Sequence, residues 1–131
     1  MEFHVRIVEA TNVPKMDTFG GSDVFCTVKS SAGATEYKTK VIDNTTTPLW
    51  NAEFSLPVKD PATDKVMIQM YDQDSVSSND LIASYEVSVA DFEGKGVVEK
   101  WYHMNHAEGV PDGCRIRLVF HLAPLGAPRF A

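Results

Sequence analysis

Five aspartates fall in two short stretches of this chain: Asp17 and Asp23 in PKMDTFGGSDVF, and Asp72, Asp74 and Asp80 in YDQDSVSSND. Two carboxylates about 4 Å apart repel by roughly 4 kcal/mol at an effective dielectric near 20, so a fold that gathers several of them must also supply positive charge. The side chains are hard oxygen donors, and neither stretch contains sulfur from cysteine or an imidazole. That chemistry suits calcium, which takes about six to eight oxygens at roughly 2.3 to 2.6 Å; magnesium demands a stricter octahedron and keeps its water. Other readings fail on spacing. An EF-hand loop starting at Asp72 needs glycine at its sixth position and glutamate at its twelfth, where Ser77 and Ala83 stand. DTFG is not the signature of an aspartic protease, and an acid–base pair has no use for five carboxylates. A lone aspartate in a loop is explained by turn formation alone; five at these spacings are not.

The remaining charge says the same. The chain has 18 acidic and 12 basic residues, a net charge of −6, which argues against nucleic acid as a partner. Setting the five aspartates aside leaves 13 acidic against 12 basic residues, so the acidity is local.

The elements that must position these loops read as strands. Cys114, Ile116, Leu118, Phe120 and Leu122 alternate with Arg115, Arg117, Val119 and His121, the period of a strand with one buried face. The same reading places strands at 3–10, 24–30, 36–42, 50–57, 65–71, 81–89 and 98–103, with VADFEG as one helical turn. Turn-rich segments separate them: FGGSD, NTTTP, DPATD, SSND and VPDG. Short strands about ten residues apart predict one all-β domain, an eight-stranded antiparallel β-sandwich over residues 1–123. Strands that alternate up and down bring the loop after the first strand and the loop after the fifth to one end, which would converge the five aspartates. The proline- and glycine-containing stretch 124–131 reads as a disordered tail or the start of a linker.

Cys26 and Cys114 lie at core-facing strand positions without CxxC spacing and read as buried free thiols. MEFHVRIVEA alternates like a strand and lacks the pattern of a signal peptide, which places the expectation in the cytoplasm. In such a compartment the sequon at Asn44 stays unmodified. Trp50 and Trp101 read as core or strand-packing residues. His4, His103, His106 and His121 show no triad or ligand spacing. No nucleophile–base constellation, phosphate loop or cofactor motif appears, so the chain is not expected to be an enzyme.

MDTFGGSDVF, followed by TTTPLWNAEFSL and then YDQDSVSSNDLIA, resembles the C2 domain, the calcium-dependent phospholipid-binding β-sandwich. The resemblance runs from Phe3 to about Ala123. Because the first strand leads into the first loop and the chain closes with CRIRLVFHL, it resembles the permuted arrangement called type II topology. The resemblance implies that Asp17, Asp23, Asp72, Asp74 and Asp80 bind two to three calcium ions, aided by Ser77 and by the backbone carbonyls of Met16 and Gln73. It also implies reversible docking on an anionic phospholipid membrane when calcium rises. Met16, Phe19 and Val76 are expected at the membrane interface, and the paired lysines Lys38 and Lys40 in EYKTKVI as a headgroup contact. Val24 stands where the family commonly has proline, which removes no ligand. The expected state is a monomer, and a calcium-regulated protein–protein interaction module is the alternative function.

Overall fold

The computed structural model describes residues 1–16, 22–73 and 79–130. Among them are ten strands: β1 Glu2–Thr11, β2 Ser22–Ser30, β3 Glu36–Lys38, β4 Ile42–Thr45, β5 Leu49–Pro57, β6 Lys65–Asp72, β7 Asp80–Ser88, β8 Val97–His103, β9 Asn105–His106 and β10 Arg115–Ala123. One sheet runs β5-β1-β10-β8; the other runs β3-β2-β6-β7-β9, with β4 as a further partner of β2. The pairings within both are antiparallel, and the first and last strands are neighbours, as the permuted topology requires.

All eight expected strands form, and the count rises for a local reason. The segment expected to run unbroken over 36–42 divides into β3 and β4 because Thr39 turns its side chain into the ladder. Its Oγ1 accepts the Cys26 amide N–H at 2.9 Å while its own amide donates to the Cys26 carbonyl at 2.9 Å. A buried hydroxyl thus replaces a backbone partner, and the regular ladder ends at Lys38. The two-residue β9 supplies the other addition by pairing with Ala83 and Ser84 of β7. VADFEG forms the expected helical turn, a 3-10 helix over Val89–Phe92.

The core lies between the sheets and follows the alternation. Phe3, Val5 and Ile7 of β1 and Ile116, Leu118 and Phe120 of β10 meet Val24, Cys26 and Val28 of β2 and Val66, Ile68 and Met70 of β6, all essentially without solvent exposure. Phe3 stacks on Phe120 at 5.3 Å, and Phe92 of the 3-10 helix caps both rings at 5.4 and 4.8 Å. Cys26 and Cys114 are buried and free. Cys114 Sγ lies 3.9 Å from the sulfurs of both Met70 and Met104, and burial pushes its pKa up to about 11. The tryptophans part company. Trp50 is 6% exposed and donates its indole N–H to the Val24 carbonyl at 3.3 Å; Trp101 is 45% exposed, with the Arg117 guanidinium 5.9 Å from its ring. Trp101 is therefore a strand-packing residue and not a core one, because it is the register partner of Arg117 on the outward face of the sheet.

Residues 124–130 fold back across the outer face of the four-stranded sheet. Gly126 N–H donates to Glu2 Oε1 at 3.2 Å, Arg129 pairs with Glu53 at 3.7 Å, and the Phe130 ring lies 4.6 Å from the Arg6 guanidinium and edge-on to His4.

Candidate metal centre

Ladder register brings the acidic loops to one end. Val24 pairs with Asp72 across β2 and β6, and Asp72 pairs with Asp80 across β6 and β7. The connection out of β1 and the connection between β6 and β7 therefore leave the same end of the sandwich, as the alternating topology predicts. Register alone would set Asp23, Asp72 and Asp80 near one another, and the hydrogen bonds tie two of them together. Asp23 N–H donates to Asp72 Oδ1 at 2.9 Å, Gln73 N–H donates back to the Asp23 carbonyl at 2.8 Å, and Asn44 N–H donates to Asp23 Oδ1 at 2.8 Å. Each carboxylate uses an oxygen to fix its own orientation. Asp72 is 3% exposed, Asp23 is half-buried and Asp80 is exposed. Burying a carboxylate is costly unless hydrogen bonds or a cation compensate. Neither Asp23 nor Asp80 forms an ion pair with a described residue.

The base of the first loop is clasped by Ser22, whose Oγ accepts the Met16 N–H at 3.0 Å and donates to the Pro14 carbonyl at 3.0 Å. On its other flank Asn12 Nδ2 donates to the Gly113 carbonyl at 3.1 Å. Gly113 has φ of 117°, and a Cβ there would stand 2.7 Å from Asn12 Nδ2, so glycine is what allows this tie. Nothing in the sequence singles out Ser22 beyond its place directly before Asp23, and nothing singles out Asn44 short of the pairing of β2 with β4.

The described donors are all oxygen: the carboxylates of Asp23, Asp72 and Asp80 and the backbone carbonyls of Met16 and Gln73. That set fits a hard divalent cation. Among the described residues no group of three or more His, Cys, Asp or Glu side chains is close enough to hold an ion by itself. A complete set draws on Asp17, Asp74 and Ser77, which lie outside the described residues, as do the expected membrane contacts Phe19 and Val76. Met16 is half-buried against the core.

The two lysines differ. Lys38 Nζ sits 4.2 Å from the Phe25 ring centroid, Phe25 stacks on Tyr71 at 5.4 Å, and these residues with Thr27, Glu36 and Asn79 line a cleft of about 340 Å³. Burial, followed by Glu36, raises the Tyr71 pKa. Lys40 is exposed beyond the end of β3, outside that lining. A larger cleft of about 540 Å³ opens around Tyr85, Phe92 and Tyr102, and of the described aspartates of the acidic end, Asp23, Asp72 and Asp80, none lines it. His103 Nε2 bonds Asp112 Oδ1 at 2.7 Å and His106 Nδ1 bonds the Ala107 carbonyl at 3.1 Å. The Asp112 pKa is lowered by the His103 hydrogen bond and then by the Gly113 amide.

The family model for the C2 domain matches residues 1–104. The chain belongs to the C2 family. It is 33% identical over 108 residues to a C2 and GRAM domain-containing protein of Arabidopsis thaliana, covering 80% of this chain and 10% of that protein. It is 34% identical over 110 residues to the eye isozyme of protein kinase C of Drosophila melanogaster, covering 80% of this chain and 16% of that one. The chain thus spans a small part of these relatives' length. Among solved structures it superposes on a C2 domain of a plant extended synaptotagmin 1 with a TM-score of 0.83, at 22% identity over 91% of each chain. It superposes on the calcium-bound tandem C2 domains of extended synaptotagmin 2 with a TM-score of 0.78, at 20% identity over 92% of this chain and 44% of that one. As a C2 domain it is a lipid-binding or membrane-targeting module. No described helix is long and apolar enough to cross a membrane.

Proposed function

We propose that this C2 domain binds two to three calcium ions at the end bearing Asp17, Asp23, Asp72, Asp74 and Asp80, and that the loaded form docks reversibly on anionic phospholipid membranes. The observation that carries the reading is the mutual bonding of the Asp23 and Asp72 segments across β2 and β6. That bonding ties the Asp72 carboxylate to the Asp23 backbone, at the end of the sandwich from which both acidic loops leave.

Without metal the acidic end is repelled by a negative surface, which rewards basic groups by about 1 kcal/mol each. Two calcium ions carry +4 against five carboxylates and bring the local charge to about −1, and calcium supplies open positions for lipid phosphate oxygens. The chain's own part is to hold the Asp72 and Asp23 carboxylates through the backbone amides of Asp23 and Asn44, while the Gln73 amide ties the Asp23 carbonyl. Met16, Phe19 and Val76 then enter the interface, each stabilising docking by about 1 to 3 kcal/mol where fully buried. The domain carries no catalysis of its own and acts as a monomer that moves from cytoplasm to membrane.

Asp72→Asn combined with Asp74→Asn tests this. Sedimentation with phosphatidylserine vesicles in calcium should be lost while the far-ultraviolet circular dichroism stays that of the wild type. Pelleting that persists in the double variant would overturn the proposal.

A further inference from the structure

Apart from the acidic end, the sandwich is open along the side between β7 and β8. β8 ends the four-stranded sheet: β10 pairs with one side of it in unbroken register over 97–103, and no described strand pairs with the other. Facing it, β7 pairs with β9 only at Ala83 and Ser84, so 85–88 is open as well. These edges and the 3-10 helix bound the cleft of about 540 Å³. Alternation gives the free edge of β8 two faces. Val98, Lys100 and Tyr102 are register partners of the buried Phe120, Leu118 and Ile116, and all three line the cleft. Val97 and Trp101 take the outer face, where they are 42% and 45% exposed. On that outer face Glu99 is already paired with Arg117 at 2.8 Å. In the cleft Glu86 is paired with Lys65 at 3.9 Å, whereas Lys100 and the neighbouring Lys95 form no ion pair with a described residue, leaving two ammonium groups against the carboxylate of Asp91. An unpaired edge is a template for another strand, and an inward-pointing charge on it blocks the wrong one. Lys100 penalises a neutral or basic strand and favours one that brings a carboxylate.

We infer that the free edge of β8 takes up an extended acidic segment of a partner protein by strand addition, a segment whose side chains alternate between carboxylate and apolar. Main-chain hydrogen bonds to β8 supply the affinity and alternate side chains the specificity. The carboxylates fall on the cleft side, opposite Lys100 and towards Lys95. The hydroxyls of Tyr85 and Tyr102, whose rings are 4.9 Å apart, are further donors in that cleft. Burial, followed by Tyr85, raises the Tyr102 pKa, so its hydroxyl keeps the proton it would donate. The apolar side chains fall on the outer face and cover Val97 and Trp101, the two large apolar side chains that β8 exposes. No described aspartate of the acidic end takes part, so the segment binds with or without calcium and leaves that end free to meet a membrane.

The probe is a capped peptide of alternating glutamate and valine, as long as β8, added to the full chain and followed by nuclear magnetic resonance of the backbone amides. Shifts should fall on Val97–His103 and be the same in calcium and in chelator. Lys100→Glu sets like charges across the strands and should weaken binding by at least about tenfold, while gaining affinity for the matching peptide of alternating lysine and valine. Lys100 is exposed, so that variant keeps the fold. The glutamate peptide N-methylated at every residue has no main-chain donors left and should not bind the wild type. Absence of binding at millimolar glutamate peptide, equal binding of the lysine peptide by the wild type, binding that survives N-methylation, or shifts confined to other surfaces would each overturn the inference.

Discussion

The two ends of this sandwich both carry aspartates, and they use them in opposite ways. At the end where β5 turns into β6, the buried Asp64 accepts the amides of Lys59 and Asp60 at 2.8 and 3.2 Å, and Asp60 accepts that of Ala62 at 3.0 Å. These carboxylates bond within their own loop, and the turn is complete as it stands. At the other end Asp23 and Asp72 bond across strands, to each other's elements and to Asn44, which draws acidic groups together. The difference is one of reach: the carboxylates of the β5–β6 turn are satisfied inside their own loop, whereas Asp23 and Asp72 are fixed by amides from other strands, beside an Asp80 that has no ion pair with a described residue.

The widest way to break that comparison is to remove the charge. At a calcium concentration 100 times the dissociation constant, each occupied site should stabilise the fold by about 2.7 kcal/mol. A thermal melt should show that gain in the wild type and its absence in Asp72→Asn with Asp74→Asn.

A second test lies beneath the acidic end, where the sulfurs of Cys114, Met70 and Met104 are sealed in the core. The folded chain holds the Cys114 proton to about pH 11, whereas an unfolded thiol releases it near pH 8.5. The stability this contributes is present below about pH 8.5 and is lost as pH rises toward 11, a fall of about 3 kcal/mol. Urea unfolding should show at least this slope, and Cys114→Ala should reduce it, leaving the part that belongs to Cys26, whose thiol burial also pushes up. A thiol reagent at about pH 8 should leave the native chain unlabelled.

At the opposite end, Asp64→Ala strands two amides and should cost about 1 to 3 kcal/mol. That cost should be the same with and without calcium in paired melts; a calcium-dependent cost would erase the distinction between the ends. The smallest effect belongs to Lys38, whose charge already rests on Phe25 beside Glu36. Lys38→Ala should shift vesicle affinity by less than the equivalent of about 1 kcal/mol, and Lys40→Ala by no more.

Much of this was legible in the sequence because it depends on period and spacing. The alternation over 114–122 yielded β10, and two separated clusters of aspartate became one end once the strands alternated in direction. What stayed hidden depends on contacts between distant positions. Thr39 interrupts its strand through a hydroxyl bonded to Cys26, which no propensity anticipates. Trp50 and Trp101 both lie in edge strands and differ in the face they present, which only the register of the sheet decides. His4 and His121 stand 117 positions apart in the sequence, and only the closure of β1 against β10 makes them neighbours.

Calorimetric titration of calcium into the metal-free chain tests the central claim most directly. The account predicts two to three ions bound with micromolar affinity, no comparable heat from magnesium, and no calcium heat in the Asp72→Asn, Asp74→Asn variant. A wild-type chain that binds no calcium, or a double variant that binds it unchanged, would contradict it.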